Sequence, residues 1–420
     1  MGGVPPPEAP PGSGPSFRRA LGHRPFLLLW ASQLISQSGD YVFDVALLWL
    51  VLTSTRSIFA VGLVVAVSIL PSVVLSPFFG VYVDRWPRRT ILLVTNVVEG
   101  LLVAALSGLI LAHALSFPAI LAVVAALGAG GQVVRLTSTT LIPQTVGAAD
   151  LGAANGLMQL SSSSTQVVGL SIGGVVVALF GVTLPIAYDA LTFFAAAVIV
   201  AGIAAAVGRP GPAEAAGGAG FGAQFAEGFR YVRGQRFLLE VIAVGAVVNF
   251  CGNAVFALWA PYSERVLGGG AATYGLLGAM IAVGAIVGAL AVGKIDLRRR
   301  VGPVVFAGLA VAGVVIVLLG LTRSIPLALA EAFAVGGVLS VVNVPLLTAV
   351  QAKVPARLLG RTMAVLLALI LVAAPLGSFV AGWLASVTSI GFVYVLAGGA
   401  ILAMAGLGVS LFSEARRIAY

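Results

Sequence analysis

The sequence predicts an all-α membrane protein whose twelve transmembrane helices form two pseudo-symmetric bundles of six. Three observations predict this fold. Of the 420 residues, 60% are hydrophobic and only 9% are charged, whereas a soluble protein has about 25% charged residues. Apolar runs long enough to cross a bilayer as helices recur along the chain. Short motifs from the first half also return in the second half.

Short polar stretches separate the apolar runs, and their positions define the predicted domains. We place the spans at residues 26–53, 57–83, 90–112, 117–142, 152–180, 184–207, 237–262, 272–294, 301–322, 325–350, 357–386 and 388–412. We expect a disordered cytoplasmic tail at 1–24, helix bundles at 25–207 and 237–412, a cytoplasmic linker at 208–236 and a cytoplasmic tail at 413–420.

Basic residues are distributed unevenly between the two sides of these spans. Only Arg56, Arg265 and Arg323 fall in loops on one side, and every other Lys and Arg except Arg135 falls on the side of both termini. The positive-inside rule therefore predicts that both termini are cytoplasmic. The same bias explains the net charge of +9, so we expect no nucleic-acid partner.

Arg outnumbers Lys, as in GC-rich bacterial genomes. We therefore expect the protein to lie in the bacterial cytoplasmic membrane.

The linker ends in a segment with aromatic and basic residues at helical spacing: Phe221, Phe225, Phe229, Arg230, Arg233 and Arg236. This pattern predicts a short amphipathic helix that lies on the cytoplasmic leaflet. An ordinary tether between the two bundles is the alternative.

The first span carries a stripe of polar side chains that does not suit a lipid-facing helix. Gln33, Gln37, Asp40 and Asp44 are spaced i, i+4, i+7 and i+11, which places them within a sector of about 60° on a helix. Each Asp that faced lipid at mid-membrane would cost roughly 2.5–3.5 kcal/mol. We therefore expect the stripe to face protein or a water-filled cavity, where intramembrane acids are candidates for function.

Two motifs recur at a spacing of about half the chain. Residues 38–43 (SGDYVF) are similar to 251–256 (CGNAVF), and residues 133–135 (VVR) are similar to 341–343 (VVN). Asn253 then occupies the position that corresponds to Asp40. Duplicated halves predict a substrate site near the midplane, between them.

A motif between the second and third spans resembles a known family. Gly80 is followed by Asp84-Arg85 and, after Pro87, by Arg88-Arg89. This pattern resembles the loop signature of the major facilitator superfamily, and residues 293–300 carry a degenerate copy. Residues 32–40 (SQLISQSGD) and 188–194 (YDALTFF) resemble the branch that contains macrolide-efflux and enterobactin-export proteins. The resemblance begins at about residue 18 and implies the major facilitator fold.

The resemblance also implies that this loop latches one access state of a transporter. The residues concerned are Gly80, Asp84, Arg85, Arg88 and Arg89. Gly80 would let a neighbouring helix approach closely, and the charged residues could bridge to adjacent elements. A basic loop that only sets topology is the alternative.

The acids of the first span are the leading candidates for proton coupling. Asp40 and Asp44 lie one helical turn apart, so their charges repel and we expect one of them to take up a proton near neutral pH. We favour Asp40, and Glu99 is a further candidate. We expect Asp189 and Glu331 to lie near the outer surface, where water solvates them. A polar network that only fixes helix packing is the alternative.

Arg135 is the one cation that we place inside the bilayer, and it needs a partner because Arg stays charged. We expect it to pair with Asp40 or Gln37. In antiporters of the superfamily that this sequence resembles, an Arg in this helix helps to gate protonation. An Arg that extends to the inner interface is the alternative.

The remaining cavity candidates lie in other spans. Asn155, Gln159, Ser162 and Gln166 repeat the spacing of the first-span stripe and predict a second polar wall. Asn249 and Asn253 are expected on the opposite wall, and Tyr41 could stack on a flat substrate. Residues 169–174 (GLSIGG) resemble the antiporter signature of the superfamily, with Leu170 where a Pro is usual. Close helix packing by these glycines is the alternative.

We therefore expect a secondary active transporter, not an enzyme, that exports an amphipathic small molecule such as a drug, an antibiotic or a siderophore-like compound. Alternating access would be coupled to proton influx. The expected partners are the substrate, protons and membrane lipid, and we expect a monomer. Residues 288–295 lack the last Ser/Thr of a phosphate-binding loop, and only two His are present, so we expect no cofactor and no metal. The alternatives are an uncoupled facilitator or importer of a small metabolite and a non-transporting membrane sensor or partner.

Overall fold

The structure is a computed structural model that describes residues 17–204, 221–292 and 301–411, without the side chains of 76–85, 221–224, 356 and 409–411. In the first half the helices are α1 (Phe17–Gly22), α2 (Arg24–Thr55), α3 (Ile58–Arg85), α4 (Arg88–Leu111), α5 (Phe117–Thr145), α6 (Leu151–Phe180) and α7 (Thr183–Ala201). Then follow α8 (Phe221–Gly234), α9 (Arg236–Ala257), α10 (Trp259–Arg265), α11 (Gly270–Val292), α12 (Val301–Leu321), α13 (Ile325–Lys353), α14 (Ala356–Leu371), α15 (Ala373–Val387) and α16 (Ile390–Leu411).

Twelve stretches of helix within these ranges are long and apolar enough to cross a membrane. They form two pseudo-symmetric bundles, one from α2 to α7 and one from α9 to α16. Large apolar side chains such as Leu111, Leu179, Leu191 and Val198 lie exposed on the surface of the molecule. Such a surface is compatible with lipid and not with water, so the chain is an integral membrane protein.

Two prolines interrupt spans that apolar run length predicts to be continuous helices. Pro261 has no N–H to donate to the carbonyl of Ala257, and α9 ends at that residue. Pro375 has the same relation to Leu371, where α14 ends and α15 follows after Val372. The seventh and eleventh spans are therefore each built from two helical segments.

The two bundles contact each other through matching helices. The second span, α3, packs against α15 of the eleventh span, and the fifth span, α6, packs against α11, the eighth span. Each bundle thus contributes its second and fifth spans, as a two-fold relation between duplicated halves requires. The order of the helices places these contacts at the end of the molecule opposite the chain termini, which we call the far end.

Small residues let the backbones of the two halves approach at the far end. A Cβ atom added to Gly62 would lie 2.7 Å from the carbonyl oxygen of Ser378. A Cβ on Gly174 would lie 2.8 Å from the carbonyl oxygen of Ala271. Close helix contact in membranes depends on such small residues, because lipid tails remove the hydrophobic advantage of larger ones.

Two side-chain contacts accompany the glycine contacts at the far end. The rings of Phe59 and Phe379 meet edge to face, with centroids 5.5 Å apart. Nη2 of Arg265 donates a hydrogen bond of 2.7 Å to the backbone carbonyl of Arg56. Together with the glycines, these contacts close the molecule at the far end.

The linker helix α8 packs on the second half. Its Gly228 lies against the carbonyl of Arg361 in α14, and Glu227 forms an ion pair with Arg361. Phe225 and Phe229 belong to this helix, whereas the side chain of Phe221 is outside the described part. The position of α8 relative to a leaflet stays a prediction.

We predict that Gly62→Val opens the far end. The added side chain would overpack the contact with α15, at a cost of roughly 1–3 kcal/mol, which is enough to shift a two-state equilibrium by about 5- to 150-fold. Spin labels on Arg56→Cys and Ser386→Cys, in a Cys251→Ser background, report the distance across the far end. The short-distance population should fall in Gly62→Val. The control is Gly399→Val, because a Cβ there meets nothing within 4 Å. An unchanged distance distribution in Gly62→Val would contradict the prediction.

Candidate functional site

The first half encloses a cavity of about 460 Å³. Helices α2 to α7 all contribute to its lining. Its polar lining residues are Gln33, Ser36, Gln37, Asp40, Tyr41, Asp44, Ser68, Glu99, Arg135, Ser138, Thr139, Ser162 and Asp189. Its larger apolar lining residues are Phe43, Leu47, Val124, Leu127, Val134, Ile142, Met158 and Phe193. The volume is in the range of cavities that hold drug-sized ligands.

Helix α2 presents its whole polar stripe to this cavity. Gln33, Gln37, Asp40 and Asp44 all line it, as helical spacing requires of residues on one face. Asp44 lies far inside the helix sequence but keeps an exposed side chain. Because Asp44 lines the cavity, its exposed surface faces the cavity rather than acyl chains. The functional roles that we assign to this stripe stay predictions.

Asp189 joins these acids, contrary to the expectation that water solvates it near the outer surface. Only 1% of its surface is exposed, because α7 begins at Thr183 and places Asp189 nearly two turns inside the helix. Thr192 Oγ1 donates to Asp189 Oδ1 at 3.3 Å, whereas Oδ2 has no hydrogen-bond partner among the described residues. Spacing within α7 does not predict this position, because it depends on how closely α2 approaches at Gly39.

Gly39 explains how α7 comes so close to α2. A Cβ on Gly39 would lie 3.1 Å from the Cα of Asp189 and would overlap the side chains of Asp189 and Thr192. The absence of a side chain at Gly39 therefore lets Asp40 and Asp189 share one cavity. Asp40, Asp44 and Glu99 all lie within electrostatic range of Asp189.

Glu99 reaches the cavity from α4. It is buried, with 3% of its surface exposed, and packs against Gly130 of α5. A Cβ on Gly130 would lie 3.2 Å from Cγ of Glu99 and closer still to its carboxylate. A second glycine thus makes room for a second buried acid.

Arg135 lines the cavity, but its partner differs from the expected one. Its Nε and Nη2 donate to Oε1 of Gln132 at 3.0 and 2.6 Å. The expected pairing with Asp40 or Gln37 is wrong for this structure. Gln132 lies three residues earlier on the same helix, so the contact needs no approach between helices.

Several predicted cavity residues are not part of the lining. Of the four candidates in α6, only Ser162 lines the cavity. Asn155 donates to the carbonyl of Leu151 at 3.0 Å, and Gln159 donates to Ser163 Oγ at 3.4 Å. Gln166 is half-buried and is not among the lining residues. Asn249 and Asn253 in α9 donate to carbonyls one turn earlier, at 3.0 and 2.9 Å. In this structure the lining of the acidic cavity therefore comes from the first half. A substrate site between the two halves, which the repeat predicts, stays a prediction.

Glu331 was expected in solvent and is instead buried in α13, with 7% of its surface exposed. Thr322 Oγ1 donates to its Oε1 at 2.9 Å. This hydroxyl, which follows the preceding helix α12, replaces water as the hydrogen-bond donor. Glu331 does not line the acidic cavity.

The predicted latch is described only in part. The side chains of Gly80, Asp84 and Arg85 lie outside the described residues, although the backbone of α3 runs to Arg85. Arg88 is buried and its Nε donates to Thr140 Oγ1 at 3.3 Å, and Arg89 Nη2 donates to the carbonyl of Ala201 at 2.7 Å. Through Arg88 and Arg89, the start of α4 is hydrogen-bonded to α5 and α7. That this loop latches one access state stays a prediction.

Within the ranges that the structure covers, no three His, Cys, Asp or Glu side chains are placed to hold a metal ion. The four acids of the cavity therefore line a volume without forming a compact set of ligands.

We predict that Gly39→Val destabilises the protein by roughly 1–3 kcal/mol, because the new side chain would overpack the α2–α7 contact. Thermal unfolding of the purified protein in detergent should show a lower Tm. Gly108→Val, in the same half, is the matched control, since a Cβ there meets nothing within 4 Å. Equal Tm values for the two variants would argue against a close contact at Gly39.

Comparison with known proteins agrees with this architecture. The family model described as transmembrane secretion effector (MFS_3) matches residues 18–418. The multidrug efflux pump Tap of Mycolicibacterium fortuitum is 25% identical over 372 residues, which are 86% of this chain and 89% of that protein. The putative bacilysin exporter BacE of Bacillus amyloliquefaciens is 26% identical over 287 residues, 68% and 70% of the two chains.

Solved structures of transporters share the fold at low identity. A point mutant of the nucleoside transporter NupG has a TM-score of 0.76 at 10% identity and covers 93% of this chain and 100% of its own. An inward-facing bacterial homologue of the iron transporter ferroportin has a TM-score of 0.75 at 15% identity and covers 93% and 99%. The twelve spans, the duplicated halves and the match over nearly the whole chain lead to one conclusion: the chain belongs to the transmembrane secretion effector family of major facilitator superfamily transporters.

Proposed function

We propose that this transporter exports an amphipathic small organic molecule by alternating access and that proton entry drives the export. The observation that carries the proposal is the cavity of the first half, which combines four carboxylic acids with apolar and aromatic walls. The apolar walls could pack against the apolar part of an amphipathic substrate, and the carboxylates could bind and release protons. We further propose that the protein acts as a monomer in the bacterial cytoplasmic membrane.

The direction of opening follows from the positive-inside prediction. If both termini are cytoplasmic, the closed far end is extracellular. The contacts of Gly62 and Gly174 then close the outer side. We propose that access to the cavity is from the cytoplasm. A cytoplasmic substrate could enter this state, and the outward state would need those glycine contacts to separate.

Asp40 is the proton carrier that we favour within the cavity. The ionisable groups that line it are Asp40, Tyr41, Asp44, Glu99, Arg135 and Asp189, and its α3 and α6 walls contribute the hydroxyls of Ser68 and Ser162. A proton that binds these carboxylates on one side and leaves on the other moves one charge, which supplies about 2.3 kcal/mol per 100 mV. Arg135 lines the same cavity and can favour the release of a proton from a nearby acid.

Export is the direction that the relatives support. Tap is an efflux pump and BacE a putative exporter by their names. The likeness to NupG, at 10% identity, supports the fold alone and not a direction. An uncoupled facilitator or importer is the alternative. Measuring substrate flux together with proton movement in proteoliposomes separates the two.

We predict that Asp40→Asn reduces gradient-driven transport to background, because the neutral amide cannot bind and release a proton. A resistance and efflux panel in a host without its own exporters identifies a transported compound. Purified protein in proteoliposomes with an imposed pH gradient then measures flux of that compound and proton movement. Asp40→Asn should retain exchange of labelled for unlabelled compound without a gradient.

Glu331→Gln is the matched control, since it neutralises a buried acid that lies outside the cavity. This variant should transport as the unchanged protein does. Full gradient-driven flux in Asp40→Asn would reject Asp40 as the carrier. Substrate flux without proton movement in the unchanged protein would favour the uncoupled alternative.

A further inference from the structure

We propose that the acidic cavity of the first half is a binding site for organic cations and that Asp189 is the residue that selects for positive charge. This inference rests on the proposed function and deepens it, because it names the class of the exported compound. It is carried by the charges of the lining and by two buried polar atoms that have no partner among the described residues.

The lining has more acids than bases. Asp40 and Asp44 come from α2, Glu99 from α4 and Asp189 from α7, and Arg135 from α5 is the one basic residue among the lining side chains. Two of the nitrogen atoms of Arg135 are engaged by Gln132 rather than by an acid. The cavity can therefore approach neutrality only by taking up protons or a positively charged guest.

Two buried polar atoms in the lining lack hydrogen-bond partners within the part of the chain that the structure describes. They are Oδ2 of Asp189 and Oγ of Ser138, and the two residues are 1% and 4% exposed. Buried polar groups are rarely left without a partner. Both residues line the same cavity, from α7 and α5, so a guest in the cavity is positioned to complete their contacts.

Asp189 is a better selector than the other acids because of its place. It is the most buried of the four, with 1% of its surface exposed, and it lies against Gly39 at the α2–α7 contact. A charge at Asp189 would therefore be shielded from bulk water by protein. An opposite charge in such a site is favoured, and a like charge is strongly excluded.

The walls next to Asp189 suit an organic cation rather than a metal ion. Phe193 lies one turn along α7, and Phe43 and Met158 line the same cavity. Aromatic faces attract cations, and Met adapts its shape to apolar guests. Among the described residues no three His, Cys, Asp or Glu side chains are placed to hold a metal ion, and the volume of about 460 Å³ is far larger than a metal ion needs.

Protons and the cation would then compete for the same carboxylates. Binding of one releases the other, so export of a cation and entry of protons become two halves of a single exchange. An anionic compound would meet the repulsion of the acids, and a neutral compound would leave Asp189 without a charged partner. Positive charge is therefore the property that we expect transported compounds to share.

Two ions of nearly the same shape and opposite charge test the inference. Binding of tetraphenylphosphonium and tetraphenylborate to the purified full-length protein is measured by isothermal titration calorimetry, with ethidium as a second cation. We expect tetraphenylphosphonium and ethidium to bind, with an affinity that falls as the pH is lowered. Tetraphenylborate should not bind. Equal binding of the two tetraphenyl ions, or no binding of either cation, would overturn the inference.

Variants of Asp189 test its selecting role. Asp189→Asn should weaken tetraphenylphosphonium binding by about tenfold or more, the effect of losing one charged contact. Asp189→Glu keeps the charge and should keep most of the affinity, which separates loss of charge from loss of fold. Glu331→Gln is the matched control and should bind as the unchanged protein does. Full affinity in Asp189→Asn would remove Asp189 from the site.

The outcomes also separate this inference from the proposed function. Proton-coupled export of a neutral or anionic compound, with no cation bound, would overturn the cation site and leave the proposed export in place. Cation binding that Asp189→Asn weakens, without proton-coupled flux, would support the site and reject the coupling.

Discussion

The cost of placing carboxylates in a membrane is the constraint around which the first half is organised. An acid at the middle of a bilayer is unfavourable unless it meets water, protein or a counter-charge. Four acids from three helices avoid lipid by facing one cavity. This arrangement needs α2, α4, α5 and α7 to approach closely, and Gly39 and Gly130 provide the space. The glycines and the acids are thus parts of one solution, since each glycine lies directly against an acid.

The contact between the two halves follows a similar rule but serves a different purpose. At the far end, Gly62 and Gly174 bring backbones of opposite halves together, beside the edge-to-face contact of Phe59 and Phe379. Alternating access by rigid-body motion of the two halves would need these contacts to separate and re-form. Breaks at Pro261 and Pro375 lie in the seventh and eleventh spans of the second half, and α15, which follows the second break, carries part of this contact. The alternating access that we propose would separate the contacts at the far end, whereas Gly39 and Gly130 keep the helices of the acidic cavity close together.

Much of the fold could be predicted from the sequence, and part of the site could not. Apolar run length predicted the twelve helices, and helical spacing placed Asp40 and Asp44 on one face that lines the cavity. Asp189 was misplaced because its surroundings depend on the approach of α2 at Gly39, which periodicity within one helix does not reveal. Asn253 was expected on the opposite wall of the cavity, yet its amide donates to the carbonyl of Asn249 in its own helix and it is not among the lining residues of the acidic cavity. Spacing predicts the helix face on which a side chain lies, whereas the residues that it contacts depend on how closely neighbouring helices approach.

Access of water to the cavity is the central claim, and chemical labelling tests it most directly. Ser162→Cys, in a Cys251→Ser background, places a thiol on the cavity wall, and Leu191→Cys places one on the surface of α7 opposite Asp189. A charged methanethiosulfonate reagent reacts only with thiols that water reaches. The account predicts rapid labelling of Ser162→Cys in proteoliposomes, with slowing by a bound substrate, and little labelling of Leu191→Cys. An unreactive Ser162→Cys beside a reactive Leu191→Cys would contradict the account.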